Sequence, residues 1–146
     1  MTLYLDTSSL VKLYVAEPGS DAVRKLVDAA TIVATSSIAY AETRAALARR
    51  RRERALRPMA FASAKKTFEV EWPKYLTIEV TSSLCRQAGE LAEQYRLPAY
   101  DSVHLAAFAE VAREAGVRDT RFSSFDNLLN RAAESLRRKL ARTRRM

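Results

Sequence analysis

Apolar and polar positions along this chain follow two rhythms, short apolar bursts and longer stretches with an apolar residue at every third or fourth place. Thr2 to Leu5 is a burst and predicts a strand. Asp6-Thr7-Ser8-Ser9 then supplies the side chains that cap a helix, carried on through Leu10, Val11, Leu13 and Tyr14. Pro18 and Gly19 interrupt, and a second helix is predicted over Asp21 to Ala30. Thr31 to Thr35 is β-branched and apolar throughout, the mark of a buried strand. Ser36 and Ser37 open a helix through Ile38, Ala41, Ala45 and Leu47 into an arginine run; Pro58 begins another that reaches Trp72, and Pro73 ends it. Leu76 to Val80 is a third strand. Thr81-Ser82-Ser83 caps a helix to about Arg96, Pro98 starts one ending near Gly116, and Arg121 to Phe125 is a fourth strand leading into Leu128, Leu129 and Ala132. Strands alternating with helices imply an α/β fold, a parallel sheet with helices on both faces.

Four acids break this pattern. Asp6, Glu42, Asp101 and Asp126 each interrupt or close an apolar segment, where an isolated carboxylate costs several kcal/mol unless it is protonated, paired or bound to a cation. In a parallel sheet, ligands bind beyond the carboxyl ends of the strands, and Asp6 and Asp126 fall there. Each also suits the cap of the helix that follows it. Glu42 has Ile38, Ala39, Ala45 and Ala46 as helical neighbours, so it projects from an apolar stripe. Asp101 shares a face with Leu97, His104, Leu105 and Phe108, a stripe that should face the core, although its place near Pro98 also favours the helix dipole. A pocket holding a divalent metal ion would account for all four.

Composition narrows the reading. The 146 residues, 48% hydrophobic, suffice for one core. One domain over 1–134 is expected, followed by a basic tail or helix extension over 135–146. The lone Cys85 excludes an intrachain disulfide and a cysteine zinc cluster, fits a reducing cytoplasm, and is expected as a small core residue. No segment approaches the roughly 20 apolar residues of a membrane span, so a soluble, unprocessed protein is expected. The net charge of +8 is concentrated: Arg49 to Arg57 carries +5 and Ser135 to Met146 carries +6, leaving −3 on the remaining body. Such strips suit a polyanion or an acidic protein partner, or are simply solvated helix faces. The first contains Arg49, Arg50, Arg51 and Arg52, whose planar forks suit phosphate.

The segments Leu5-Asp6-Thr7-Ser8, Ser37 to Glu42, Ala99 to Ala106 and Phe122 to Leu128, in this order and at these separations, resemble the PIN-domain ribonucleases, and within them the toxins of bacterial VapBC toxin–antitoxin pairs, over essentially the whole length. The resemblance implies a three-layer α/β/α sandwich with a central, mainly parallel sheet of four to five strands. It implies Asp6, Glu42, Asp101 and Asp126 as the catalytic, metal-site acids, with Ser8 and Ser124 as polar supports; of the four, Asp6 and Asp101 are expected to be the direct metal ligands. Ser124 stands where threonine is frequent, and Asp119 is a second candidate for the fourth acid. A cognate antitoxin and a homodimer are implied by the resemblance alone.

Residue inventory limits the chemistry. Mg²⁺ or Mn²⁺ prefers carboxylate oxygen and water over the sulfur and imidazole ligands this chain nearly lacks. A Ser-His-Asp hydrolase would need His104, the sole histidine, yet no Gly-x-Ser-x-Gly elbow is present, and His104 is expected to be structural. Gly19, Gly89 and Gly116 are isolated, which argues against a phosphate-cradling loop. Two readings remain: a metal-dependent endoribonuclease that cuts RNA, or a catalytically silent RNA- or protein-binding module that keeps the fold and the basic strips.

Overall fold

The computed structural model describes residues 1–145, so Met146, the end of the basic 135–146 segment, lies outside the described residues. Four strands, β1 (Thr2–Leu5), β2 (Ile32–Ser36), β3 (Leu76–Ile78) and β4 (Thr120–Ser123), pair in parallel in the order β3-β2-β1-β4. Seven α-helices join and cover them: α1 (Thr7–Leu10), α2 (Ser20–Ala29), α3 (Ile38–Arg52), α4 (Pro58–Glu71), α5 (Ser82–Tyr95), α6 (Ala99–Ala115) and α7 (Asn127–Thr143). Single 3-10 turns, Val11–Leu13 and Trp72–Lys74, follow α1 and α4. This is the expected three-layer α/β/α sandwich, its four strands all parallel.

The layers follow from the two-residue period of a strand. Leu3 and Leu5 face one side and pack with Leu10, Val23, Ala39 and Phe68, so α1 to α4 cover that face. Tyr4 and Ala34 face the other and pack with Leu84, Leu105, Phe108, Leu129 and Leu136, so α5 to α7 cover it. With both faces covered, β1 shows no polar alternation, and each fully buried Leu contributes about 2 kcal/mol from the water it sheds. A third cluster of Val11, Val15, Leu47 and Ala64 seats α4 against α3.

Three expectations need correction. Thr31 to Thr35 is not buried throughout: Ile32 is 45% exposed and Val33 half-buried, because β3 pairs only with Ala34, Thr35 and Ser36 and leaves the start of β2 at an open edge. The fourth strand stops at Ser123 rather than Phe125, since the Ser124 side chain turns back to bond Asp6. Cys85 is exposed, not in the core. Leu84, Ala88 and Leu91 turn the inner face of α5 toward the sheet, and Cys85 falls one residue off that stripe.

Candidate active site

β1 ends directly in Asp6, and the cap geometry of α1 fixes its carboxylate. Asp6 is only 4% exposed. Its Oδ1 accepts from the Ser9 backbone N–H at 3.0 Å and from Ser8 Oγ at 2.7 Å, and its Oδ2 accepts from Ser124 Oγ at 2.6 Å. Burial pushes its pKa up, and the bonds from Ser124, Ser8 and Ser9 act against that. Ser8 and Ser124 also build the neighbouring loop: Phe125 N–H donates to Ser8 Oγ at 2.9 Å and Asp126 N–H to Ser124 Oγ at 3.0 Å. Asp126 caps α7, accepting from Leu129 N–H at 2.8 Å. Both aspartates are therefore helix caps, and both also stand at the carboxyl ends of adjacent strands, so the two roles coexist. The Phe125 ring fills the space that a Cβ on Gly19 would need, at 2.6 Å, and Gly19 has φ +95, so only glycine fits there.

Glu42 reaches the same end of the sheet from the second turn of α3. Its Oε1 accepts from Thr7 Oγ1 at 2.7 Å and meets His104 Nε2 at 2.8 Å. Burial pushes its pKa up, but the bonds from His104 and Thr7 outweigh this and leave it lowered. His104 lies 2.9 Å from the Tyr4 hydroxyl through Nδ1. Tyr4 is wholly buried, and its pKa is pushed well up by burial and then by the charges of Asp6 and Glu42. Thr7, His104 and Tyr4 were not singled out from the sequence as site residues. The available signal was the three-residue step from Asp101 to the only histidine, together with a tyrosine inside an otherwise aliphatic strand.

Asp101, half-buried in the first turn of α6, is raised by burial, then by the charges of Asp126 and Asp6, with His104 opposing and Glu42 adding. Its shift has no hydrogen-bond contribution. The other three acids thus all act on Asp101, and the four share one end of the fold. Asp119 does not join them: it precedes β4, at the amino end of the sheet, where its carbonyl accepts from Thr2 N–H at 2.8 Å. It lines a cleft of about 310 Å³ with Gly116, Arg118, Arg144 and Arg145. That cleft lies at the amino end of the sheet, away from the acids at the carboxyl end.

Among the described residues no three His, Cys, Asp or Glu side chains close on a common point as metal ligands. The donors that hold Asp6 and Glu42 fix each carboxylate apart from the others, and like charges oppose closer approach. The chemistry of the set still fits a hard divalent cation. It offers carboxylate and hydroxyl oxygen alone, and the Asp101 carboxylate takes no hydrogen bond from the described residues and stands in the negative field of its neighbours.

Of the arginine run, Arg49 pairs with Glu53 at 2.9 Å and Arg50 with Glu17 at 3.1 Å. Arg51 and Arg52 enter no ion pair with the described residues.

This fold is that of a PIN domain, and the chain belongs to that family, whose model matches residues 3–134. Within it the chain is VapC-like. Ribonuclease VapC45 and Ribonuclease VapC49 of Mycobacterium tuberculosis are each 36% identical to it over 105 residues, 72% of this chain and 73% of theirs. Among solved structures, M. tuberculosis VapC20, described as a sarcin-ricin-loop-cleaving toxin, superposes with a TM-score of 0.65 at 21% identity, covering 89% of this chain and 94% of that one. VapBC2 of Rickettsia felis, bound to a promoter DNA fragment, gives 0.54 at 16% identity over 86% and 100%. Both show the shared fold.

Proposed function

We propose that the chain is a metal-dependent endoribonuclease, the toxin of a type II toxin–antitoxin pair, acting in the cytoplasm on RNA phosphodiester bonds at the four-carboxylate site. The observation that carries this reading is that the charges of Asp126, Asp6 and Glu42 all bear on Asp101 at the carboxyl end of the sheet. Kinship with proteins named ribonucleases supplies the reaction class. Asp6 and Asp101 would hold Mg²⁺ or Mn²⁺. When bound, such an ion supplies positive charge against the attacked phosphate and lowers the pKa of the hydrolytic water. Ser8, Ser124 and Ser9 N–H hold Asp6 in one orientation. Glu42 and Asp126 would ligate the ion through water or orient the hydrolytic water, and no covalent nucleophile is needed. Arginines of the Arg49 to Arg52 strip would hold the RNA backbone, with Arg51 and Arg52 the freer pair. An antitoxin would compete for the same basic surface, and the active form is a homodimer. No helix among the described residues is long and apolar enough to cross a membrane.

The test is substitution with near-isosteric amides. Asp6→Asn and Asp101→Asn should each lower RNA cleavage by at least about 100-fold, leaving the fold and salt-sensitive RNA binding nearly intact, as should EDTA. Cleavage retained in both variants would defeat the nuclease reading and leave a binding module. Mn²⁺ should raise the melting temperature of the wild-type chain and not of Asp101→Asn.

A further inference from the structure

We propose that Tyr4 and His104 form a positioning pair that locks the Glu42 carboxylate, engaging Oε1 and leaving Oε2 free to work in the acidic cup. The inference rests on the proposed nuclease reading for its purpose, but its geometry stands alone. Tyr4 is 0% exposed and His104 2%, so each polar atom they bury must be bonded or cost roughly 1–3 kcal/mol. Every one is bonded. The Tyr4 hydroxyl faces His104 Nδ1 at 2.9 Å, and His104 Nε2 faces Glu42 Oε1 at 2.8 Å and Thr7 Oγ1 at 3.1 Å.

The direction of this chain of bonds can be derived. A phenol carries its proton at neutral pH, and among the described residues His104 Nδ1 is the one side-chain hydrogen-bond partner facing the buried Tyr4 hydroxyl, so the phenol proton is directed to Nδ1. Nδ1 is then an acceptor. The ring proton must sit on Nε2, where it donates to the carboxylate; the opposite tautomer would set a lone pair against Glu42 Oε1 at 2.8 Å. Thr7 donates to the same oxygen at 2.7 Å. Both donors take Oε1, and Oε2 is not among the buried atoms left without a partner, so it reaches solvent. A glutamate on a helix surface otherwise loses up to about 2 kcal/mol of rotamer freedom when it is fixed. Here the core fixes it in advance. If the ring were only filler, an apolar side chain would spare the cost of desolvating Tyr4 and His104.

Because His104 is the only histidine in the chain, its ring nitrogens can be read without ambiguity. In the full-length protein labelled with ¹⁵N-histidine, long-range proton–nitrogen spectra should show the proton on Nε2 with Nδ1 as the acceptor, and Tyr4→Phe should move the Nδ1 resonance, which loses its hydroxyl donor, while Nε2 stays protonated against Glu42. A proton on Nδ1 in the wild-type chain, or an unchanged spectrum in Tyr4→Phe, overturns the proposal. The second arm uses two amides of similar polarity. The Gln amide reaches the place of Nε2 and can donate to Glu42, whereas Asn falls short. His104→Gln should keep kcat within about threefold, and His104→Asn should lose about 10- to 100-fold in kcat with KM little changed, both variants melting close together. Equal kcat in the two variants overturns the positioning role. Should His104→Asn fail to fold, the spectra of the wild-type chain and Tyr4→Phe still decide. Failure of the wild-type chain to cut RNA would instead overturn the nuclease reading, and the spectra would decide the bond direction independently.

Discussion

Asp101 and Glu42 differ in how the protein treats their charge, and that difference has a measurable consequence. Glu42 receives two donors on one oxygen and is held lowered, whereas Asp101 receives none and is raised by burial and by Asp126 and Asp6. Two carboxylates in one cup are thereby pushed apart in proton affinity. A raised folded pKa contributes stability below the unfolded carboxylate value, and that contribution is lost as pH rises through the folded value. At neutral pH without metal, Asp101 is therefore a liability. Asp101→Asn should melt higher than the wild-type chain in EDTA at pH 7, by about 2 °C, since solvent screening at a half-buried site keeps the gain below about 1 kcal/mol. The advantage should vanish in acid, where Asp101 is protonated. Melting curves from pH 4 to 8 check this, and an unchanged difference across that range would show that the neighbouring charges do not matter.

At the scale of elements, α3 is the critical strut, because it carries Glu42 near its start and the arginine run at its end. Its far end is tied to the loop after the first 3-10 turn by Glu17, which bonds Lys12 at 3.1 Å and Arg50 at 3.1 Å. Burial pushes the Glu17 pKa up, but Lys12 and Arg50 outweigh it and leave it lowered. A lowered folded pKa contributes stability above the unfolded carboxylate range, lost as pH falls through the folded value. Glu17→Gln should cost about 1 kcal/mol, roughly 2–4 °C in melting temperature at pH 7, and the cost should fade in acid. This clamp was invisible in the sequence, since Glu17 and Arg50 lie 33 residues apart and nothing local links them. The elements themselves were legible, because Pro58, Pro98 and the Thr81 cap act within one turn, and strand bursts buried on both faces need no distant information. What misled was lateral context. Whether Ile32 is covered depends on how far β3 extends, and whether Cys85 is inside depends on the rotation of α5 by one residue. Asp6, Glu42 and Asp101 stood out as charges in apolar runs and are buried or half-buried, whereas Asp126 is exposed and reads equally as a helix cap. His104 did not stand out, because a buried imidazole reads as core until the Glu42 oxygen opposite it is known.

Across the whole molecule the charge is bipolar, an acidic cup on a body of −3 with +5 and +6 gathered in two strips. The second strip lies largely on α7, which runs unbroken past residue 134 to Thr143. On the proposed reading RNA is drawn by the strips and repelled by the cup, so a divalent cation has two effects that can be separated: it supports cleavage, and it removes a barrier to binding. One carboxylate charge about 8 Å from a phosphate costs about 0.5 kcal/mol in water, roughly twofold in affinity. In EDTA, Asp101→Asn should therefore bind a short single-stranded RNA about twofold more tightly than the wild-type chain. In Mn²⁺, with an RNA analogue whose bridging phosphodiester oxygens are replaced by methylene and so cannot be hydrolysed, the order should reverse, because the wild-type cup then holds the ion better. The slope of log affinity against log salt should be the same for both proteins, since it counts phosphates neutralised by arginines and not the cup charge. Anisotropy titrations at three salt concentrations test this. Equal affinities in EDTA would mean that the RNA backbone does not cross the carboxylates, and the strips would then be delivering it, or a protein partner, to a different face.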